Sequence, residues 1–261
     1  MDAGTLHTAL VDAFDVFLAL LPDAAVRRGP GYRVISTPSF PVNLTNAVWC
    51  DGPDDSAAVQ ALPGALAEIQ ARGLPPAVIV RDGVTPGIQE EAHRLGLTHE
   101  ERMPGMTVDR EGFRPPPGPG GVEIRRAGDD PALLDVVIDV TARGFGAPRD
   151  WFASLLSPAI GADGLHLWLA YVDDEPVSTS LGYVRGDAVG IFDVATPPEH
   201  RRKGYGASVT AEAVAAGFDA GASFAYLQSS EMGFPVYEAL GFRTVTTYVV
   251  MERAPSPDET T

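Results

Sequence analysis

The sequence predicts a mixed α/β protein, and three observations carry that expectation. Helical and strand-like runs alternate along the chain. Three strand-like runs over 165–172, 175–184 and 187–195 follow one another with only turns between them. A Pro/Gly break at 114–121 separates two halves that echo one another. At 261 residues the chain suits one large domain or two small ones. Its 45% hydrophobic and 21% charged content is that of a globular protein.

The elements follow from residue spacing. The run from Ala9 to Leu21 is apolar but interrupted by Asp12 and Asp15, and no basic segment precedes it. That pattern predicts an amphipathic helix over 4–21 and argues against a signal peptide or membrane span, so the cytoplasm is the expected compartment. Strands are expected over 31–36 and 45–50, a helix over 55–72, a strand over 77–81, a helix over 86–95 and a strand over 105–109. Cys50, the only cysteine, lies in the apolar run Ala47-Val48-Trp49-Cys50. It reads as a small buried hydrophobe and rules out an internal disulfide or a multi-cysteine metal site. Arg114-Pro115-Pro116-Pro117-Gly118-Pro119-Gly120-Gly121 reads as an interdomain linker, because prolines supply no ladder donor.

After the break a strand is expected over 122–127, then helices over 130–143 and 148–156. Leu165, Leu167 and Leu169 alternate with His166 and Trp168, the period of a two-faced strand. Asp173-Asp174 makes the hairpin turn that follows. A helix over 204–220, a strand over 223–229, a short helix over 234–240 and strand over 242–252 complete the order. The polar tail 254–261 is expected to be frayed and disordered.

The halves share a local pattern. Glu91-Ala92-His93-Arg94-Leu95-Gly96-Leu97 resembles Tyr237-Glu238-Ala239-Leu240-Gly241-Phe242, and in each half a Met follows that Gly by ten residues. The pattern predicts a tandem repeat of one α/β unit, with 1–113 as a degenerate first copy and 122–253 as the second. In each copy the Gly would close a short helix in the left-handed conformation.

With 19 basic and 35 acidic side chains the formal net charge is −16. Nucleic acid and anionic membrane are therefore disfavoured as partners, whereas a cationic small molecule is not. Against this acidic background stand three consecutive cations, Arg201, Arg202 and Lys203, just before Gly204-Tyr205-Gly206-Ala207. Glycines at a helix start let backbone N–H groups approach an anion, and the helix dipole favours negative charge there. The third glycine of a dinucleotide fingerprint is replaced by Val209, and the nucleoside-triphosphate loop pattern is absent. A solvated basic turn before a glycine-opened helix is the alternative reading of this segment alone.

The pattern Arg201-x-x-Gly204-x-Gly206 resembles the acyl-CoA pyrophosphate loop of the GNAT superfamily of N-acetyltransferases. Two further segments strengthen the resemblance. Leu227-Gln228-Ser229-Ser230 leading to Tyr237-Glu238-Ala239-Leu240-Gly241-Phe242 is similar to the family's second cofactor-side segment, and Ala170 to Val177 is similar to its central hairpin. The resemblance covers roughly 122–252. It implies the acyl-CoA N-acyltransferase fold, a mixed and mostly antiparallel central sheet flanked by helices, and transfer of acetyl from acetyl-CoA to a primary amine by direct attack.

The resemblance also assigns residues. Backbone N–H groups of Arg202 to Ala207 would hold the pyrophosphate, with Arg201, Arg202 and Lys203 in the loop and Tyr205 at the helix start. The Val194 N–H would polarise the thioester, a contribution on the order of 3–4 kcal/mol for such a donor. Thr196 would hold the pantetheine arm and Ser230 would hydrogen-bond the cofactor. Asp193, on a strand and facing away from Val194, would be the general base, or else a carboxylate satisfied by hydrogen bonds. Tyr237 would protonate the departing thiolate. Phe145, Trp151 and Phe152 fall in the segment that lines the acceptor pocket in this family, though core packing explains them equally well. Glu199 reads as a solvated turn acid, His200 as exposed, and His166 as a satisfied core or surface histidine. No metal site is expected. In the first half the equivalent loop position reads Asp51-Gly52-Pro53-Asp54-Asp55-Ser56, whose acids would repel phosphate, so one site per chain is expected. A non-catalytic acyl-CoA-binding module and a protein N-acetyltransferase remain as alternatives, and a homodimer stays open.

Overall fold

Helix α1 (Ala3–Leu20) opens the chain in the computed structural model, which describes residues 1–50, 52, 55–128 and 130–254. Of the expected tail, 255–261 lie outside the described residues. The remaining elements of the first half are β1 (Ala25–Gly29), β2 (Tyr32–Ser36), β3 (Ala47–Cys50), α2 (Ser56–Gln70), β4 (Ala77–Arg81), α3 (Pro86–Arg94) and β5 (His99–Asp109). The second half comprises β6 (Val122–Arg126), α4 (Pro131–Phe145), α5 (Arg149–Leu156), β7 (Leu165–Val172), β8 (Glu175–Arg185) and β9 (Ala188–Ala195). It ends with α6 (Tyr205–Asp219), β10 (Phe224–Gln228), α7 (Phe234–Ala239) and β11 (Arg243–Glu252). This is the mixed α/β order read from the sequence, with β1 as an added element. Its exposed Arg27-Arg28 centre carries no apolar alternation, which is why periodicity passes over it.

The described residues form two compact units that do not divide at the proline run. The larger holds the described residues of Met1–Leu20 and Gly105–Val245, the smaller those of Leu21–Pro104 and 246–254. The physical reason is an exchange of closing strands. In the larger unit the last part of β5 pairs antiparallel with β10, Met106 opposite Leu227. In the smaller unit β11 pairs antiparallel with β4, Met251 opposite Val78. Each half of the sequence thus closes the sheet of the other. Both methionines of the sequence echo are fully buried, one in each core. The echoed glycines also behave alike: Gly96 and Gly241 sit at φ +87° and +93°. The residue after each donates its N–H five residues back, Leu97 to Ala92 and Phe242 to Tyr237, both at 3.0 Å.

Helix α1 belongs with the larger unit and not with the first half. It meets the length and apolarity test for a membrane span, yet Leu6, Leu10, Ala13, Phe14, Phe17 and Leu18 are buried within the unit. Phe17 packs edge-on against Phe192 of β9 at 4.8 Å, and Tyr226 of β10 donates its hydroxyl to the Ala9 carbonyl at 3.0 Å. These are the contacts of a core helix. The segment 114–121 likewise lies within the larger unit, where the Arg114 N–H donates to the Leu240 carbonyl at 2.9 Å.

In the larger unit β6–β7–β8–β9 form an antiparallel meander. The Asp173-Asp174 turn between β7 and β8 has both residues at positive φ, +49° and +62°, as a tight two-residue hairpin requires. β9 then pairs with β10 in parallel, with α6 crossing between them. One sheet face packs on α6 through Val189, Ile191, Val209, Val214, Phe218, Ala225 and Leu227. The other carries α1 and α4, where the Thr141 and Thr179 hydroxyls meet at 3.1 Å. Burial of these side chains, at about 1.5–3 kcal/mol each, holds the strands that frame the site.

Candidate active site

The parallel pair β9–β10 sets the geometry. Its ladder runs from Ala188 opposite Phe224 to Gly190 opposite Tyr226 and ends there. Beyond that point β10 stays with β5 as far as Gln228 opposite Gly105, while β9 follows β8 to Ala195. An opening between neighbouring parallel strands lies at their carboxyl ends, where open α/β sheets bind ligands.

β9 is deformed at this opening. Leu181 pairs with Phe192 and Thr179 with Ala195, so Asp193 and Val194 together face one residue, Ser180, without a ladder partner of their own. This is a β-bulge, and Asp193 takes φ +47° within it. An Asp tolerates the left-handed region better than most residues. The register shift interrupts the alternation that would set Asp193 and Val194 on opposite faces. The bulge is buttressed from α4: a Cβ on Gly144 would come within 2.7 Å of the Ala195 Cβ and 3.0 Å of the Thr196 N.

Asp193 is the most perturbed acid near the opening. Its carboxylate has no hydrogen-bond or ion-pair partner among the described residues, and burial alone pushes its pKa from the ordinary 3.8 to about 6. Desolvation penalises the charged form, so the group becomes a stronger base than a free aspartate while remaining mostly ionised at neutral pH. The alternative of a carboxylate satisfied by hydrogen bonds is therefore not what the structure holds.

Beyond β9 the chain turns through Pro197, Pro198, Glu199 and His200 into α6. Arg202 and Gly204 adopt left-handed conformations, φ +61° and +86°, around Lys203. Alternating handedness aims successive N–H groups into one concavity, an anion nest. The first N–H groups of α6, from Tyr205 to Ala207, lack carbonyl partners in their own helix because no preceding turn exists. Ser208 is the first to close one, onto the Gly204 carbonyl at 3.0 Å. Arg202, Lys203 and Gly204 are exposed, and Tyr205, Gly206 and Ala207 half-buried. A Cβ at Gly206 would press on the Thr196 Oγ1 at 3.3 Å.

The structure separates the three cations. Arg201 Nε donates to the Thr196 carbonyl at 3.1 Å and its Nη2 to the Gly144 carbonyl at 2.8 Å. Its guanidinium is committed to backbone, tying α4 to the loop, which leaves Arg202 and Lys203 as the solvent-facing pair. Thr196 is held in turn by Ser178, whose Oγ lies 2.9 Å from both the Thr196 Oγ1 and the Ala195 carbonyl. Sequence reasoning passed over Ser178. The available signal was the run Ser178-Thr179-Ser180, three hydroxyls fully buried in the middle of a core strand.

Tyr237 lies on α7, which follows β10 as α6 follows β9. Its ring packs edge-on to Phe242 at 6.1 Å and lies so close to Gly233 that a Cβ there would meet it at 2.8 Å. Burial raises the phenol pKa to about 12, and no partner for its hydroxyl is present among the described residues. Ser230, by contrast, spends its Oγ as acceptor for the Gly233 N–H at 3.2 Å, fixing the turn into α7.

Of the aromatic trio on α4 and α5, Phe152 is buried, Trp151 half-buried and Phe145 53% exposed. Phe145 stacks on Phe152 with 5.4 Å between centroids. Phe145 thus offers one open ring face, next in sequence to the Gly144 that rests on β9. Glu199 is exposed as expected and ion-paired with Arg143. His200 corrects the expectation of solvent exposure: it is 8% exposed, with Nε2 3.2 Å from Glu175 Oε1. His166 accepts from Arg126 at its Nδ1, 2.5 Å away, and burial together with that cation lowers its pKa. It lies near the carboxyl end of β6, opposite Gly182 of β8 and two strands away from β9.

In the smaller unit the counterpart of the loop precedes α2. Asp51, Pro53 and Asp54 of that segment lie outside the described residues. Asp55 stands at the helix N-cap with its Oδ2 accepting from the Ile88 N–H at 3.0 Å. That carboxylate makes no cap hydrogen bond to α2 itself, and it places a negative charge just before the helix where α6 is preceded by Arg202 and Lys203.

Residues 135–242 match the family described as "Acetyltransferase (GNAT) family". Among solved structures the chain is similar to a GCN5-related N-acetyltransferase from Kribbella flavida, at 18% identity and TM-score 0.75, covering 97% of this chain and 96% of that one. It is also similar to a GCN5-related N-acetyltransferase from Sphaerobacter thermophilus, at 14% identity and TM-score 0.62 over 86% and 81% of the two chains. A tandem GNAT protein from the clavulanic acid biosynthesis pathway aligns at 14% identity and TM-score 0.62 over 90% and 85%. No curated protein matches the sequence. At these identities the structural likeness carries the fold.

Proposed function

From the match of residues 135–242 to the acetyltransferase (GNAT) family, we propose that this chain is an acetyl-CoA-dependent N-acetyltransferase with one acyl-transfer site, in its larger unit. Its acceptor is the primary amine of a small cationic molecule. The observation that carries the reading is Asp193, a partnerless carboxylate raised to about 6 by burial and set in a bulge at the open end of β9. The nest at Arg202 to Gly204, the free N–H groups at the start of α6 and the cations Arg202 and Lys203 suit a diphosphate. Acetyl-CoA supplies the activated acetyl thioester.

The chain's own residues then divide the work. The amine arrives as an ammonium with pKa near ~10 and is not nucleophilic until it loses a proton. Asp193 accepts that proton, directly or through one water, its raised pKa reducing the mismatch with the ammonium. The Val194 N–H, outside the β8–β9 ladder, donates to the thioester oxygen as charge gathers there. Tyr237, protonated at neutral pH because burial raises it to about 12, donates its O–H proton to the departing sulfur. Arg201, Ser178 and Gly144 hold Thr196 and Ala195 in place and so position the bulge. The net charge of −16 favours a cationic acceptor. Phe145, backed by Phe152, offers a ring face on which a cation can rest.

Thiol release from acetyl-CoA, measured against a panel of amines, tests the proposal. Turnover with polyamines or aminated small molecules is expected. Acetyl-CoA binding without turnover on any amine would replace the enzyme with a binding module, and selective turnover of peptide N-termini would replace the small molecule with a protein.

A further inference from the structure

Among the described residues Asp193 is the one non-glycine residue that sits at positive φ inside a strand. Asp173, Asp174 and Arg202, which share that sign of φ, lie in turns. Such a backbone state persists where its surroundings over-determine it. The Thr179 Oγ1 of β8 donates to the Asp193 carbonyl at 3.4 Å. No other side chain among the described residues hydrogen-bonds the Asp193 main chain.

Thr179 is held in turn from α4. Its hydroxyl lies 3.1 Å from that of Thr141, and both residues are buried. A hydroxyl carries a single proton and can accept two hydrogen bonds. Thr141 Oγ1 also stands 2.7 Å from the Val137 carbonyl, one turn back in α4. That carbonyl already has the Thr141 N–H as its helical partner, so giving the Thr141 proton to Thr179 leaves it paired. The Thr179 proton then goes to Asp193. Thr141, Thr179 and the Asp193 carbonyl form one relay from helix to bulge. Gly144, three residues on from Thr141, lies against Ala195 and Thr196, so α4 bears on both flanks of the pair Asp193-Val194.

Asp193 shares one peptide group with Val194. A trans peptide is planar, and its C=O and N–H point in opposite directions. A carbonyl drawn toward Thr179 therefore turns the Val194 N–H away from β8. On the acyl-transfer reading above, we infer that Thr179, set by Thr141, is a positioning residue that fixes the direction in which the Val194 N–H meets the thioester oxygen. Both hydroxyls act through the backbone. Charge gathers on that oxygen in the transition state and not in the bound thioester, so a misdirected donor slows the chemistry and leaves acetyl-CoA binding intact.

Steady-state thiol release and calorimetric titration of the full chain with acetyl-CoA test this together. Thr179→Val removes the hydroxyl at nearly constant shape, and kcat is expected to fall about three- to tenfold, the loss of one orienting hydrogen bond. Acetyl-CoA affinity should be unchanged, and Thr179→Ser, which keeps the hydroxyl, should restore kcat. Thr141→Val should lower kcat in the same way. The double variant should lose no more than Thr179→Val alone, because both hydroxyls act through one relay. If Thr179→Val does not fold, Thr141→Val set beside Thr179→Ser gives the same comparison. Unchanged kcat in the Val variants, a loss that Ser does not restore, or an equal loss of acetyl-CoA affinity overturns the inference. An unsubstituted protein that turns over no amine would sink the acyl-transfer reading itself, a result distinct from these.

Discussion

Replacing Asp193 with Asn removes one charge and changes little else. The two side chains are nearly isosteric, and Asn tolerates the φ of +47° at this position at least as well as Asp. A rise from 3.8 to about 6 opposes ionisation in the folded protein by about 3 kcal/mol. Partial exposure of the residue brings the working range to about 1–3 kcal/mol. The sign follows from linkage. The folded protein holds the proton more tightly than the unfolded chain, so this group's favourable contribution is complete below pH ~4. It is lost as the pH rises to about 6 and stays lost above that. Asp193→Asn should therefore be more stable than the parent at pH 7–8 by about 1–3 kcal/mol, with the two converging near pH 4 in urea titrations. Activity should move the other way. In the parent, kcat/KM should climb through an inflection near pH 6, separate from the later rise as the amine itself deprotonates. Thiol release by the Asn variant should fall by about 10²- to 10⁴-fold and lose the inflection near pH 6. If the variant retains that inflection, or is destabilised at pH 7–8, Asp193 is not a desolvated base and the reasoning fails.

Tyr237→Phe keeps the ring packed on Phe242 and removes only the hydroxyl, so turnover should drop about 100-fold while acetyl-CoA affinity by calorimetry is unchanged. Arg201→Met breaks two hydrogen bonds to backbone carbonyls, and urea titration should give a loss of about 2–4 kcal/mol. Lys203→Ala, at an exposed position, should instead weaken acetyl-CoA binding several-fold, more so at low salt, with no shift in thermal midpoint. Gly144→Val forces a side chain into Ala195 and the Thr196 backbone, and should impair turnover through displacement of the bulge, at a stability cost of about 1–3 kcal/mol.

Much of the fold was legible because the second half is locally consistent. Leu165, Leu167 and Leu169 alternate, Asp173-Asp174 turns, and Gly204 opens a helix with small residues behind it, each signal set by neighbours in the chain. The exchange of β5 and β11 was not legible. Strand pairing is a long-range choice, and Met106 or Met251 would be equally buried in either sheet. The proline run misled for a related reason: Pro115 to Pro117 exclude regular structure, but they do not say which unit the irregular segment joins. At the site, residue type pointed to Asp193 and Tyr237, and burial supplied the perturbed pKa values that type alone cannot. The division of labour among Arg201, Arg202 and Lys203 was hidden, because it depends on carbonyls at Gly144 and Thr196 that only folding brings within reach. His200 was misread as exposed because its neighbours Glu199 and Arg201 are charged, whereas the turn buries it beside Glu175.

The central claim is that one acyl-CoA site exists per chain, built by α6 and the β9–β10 opening, while the segment before α2 in the smaller unit carries acids in place of Arg202, Lys203 and the Gly204-x-Gly206 pair. Calorimetric titration of the full chain with acetyl-CoA tests it most directly, through the number of molecules bound. The account predicts one per chain, falling to a markedly weaker single event in Lys203→Ala. Two molecules bound per chain, or none, would contradict it.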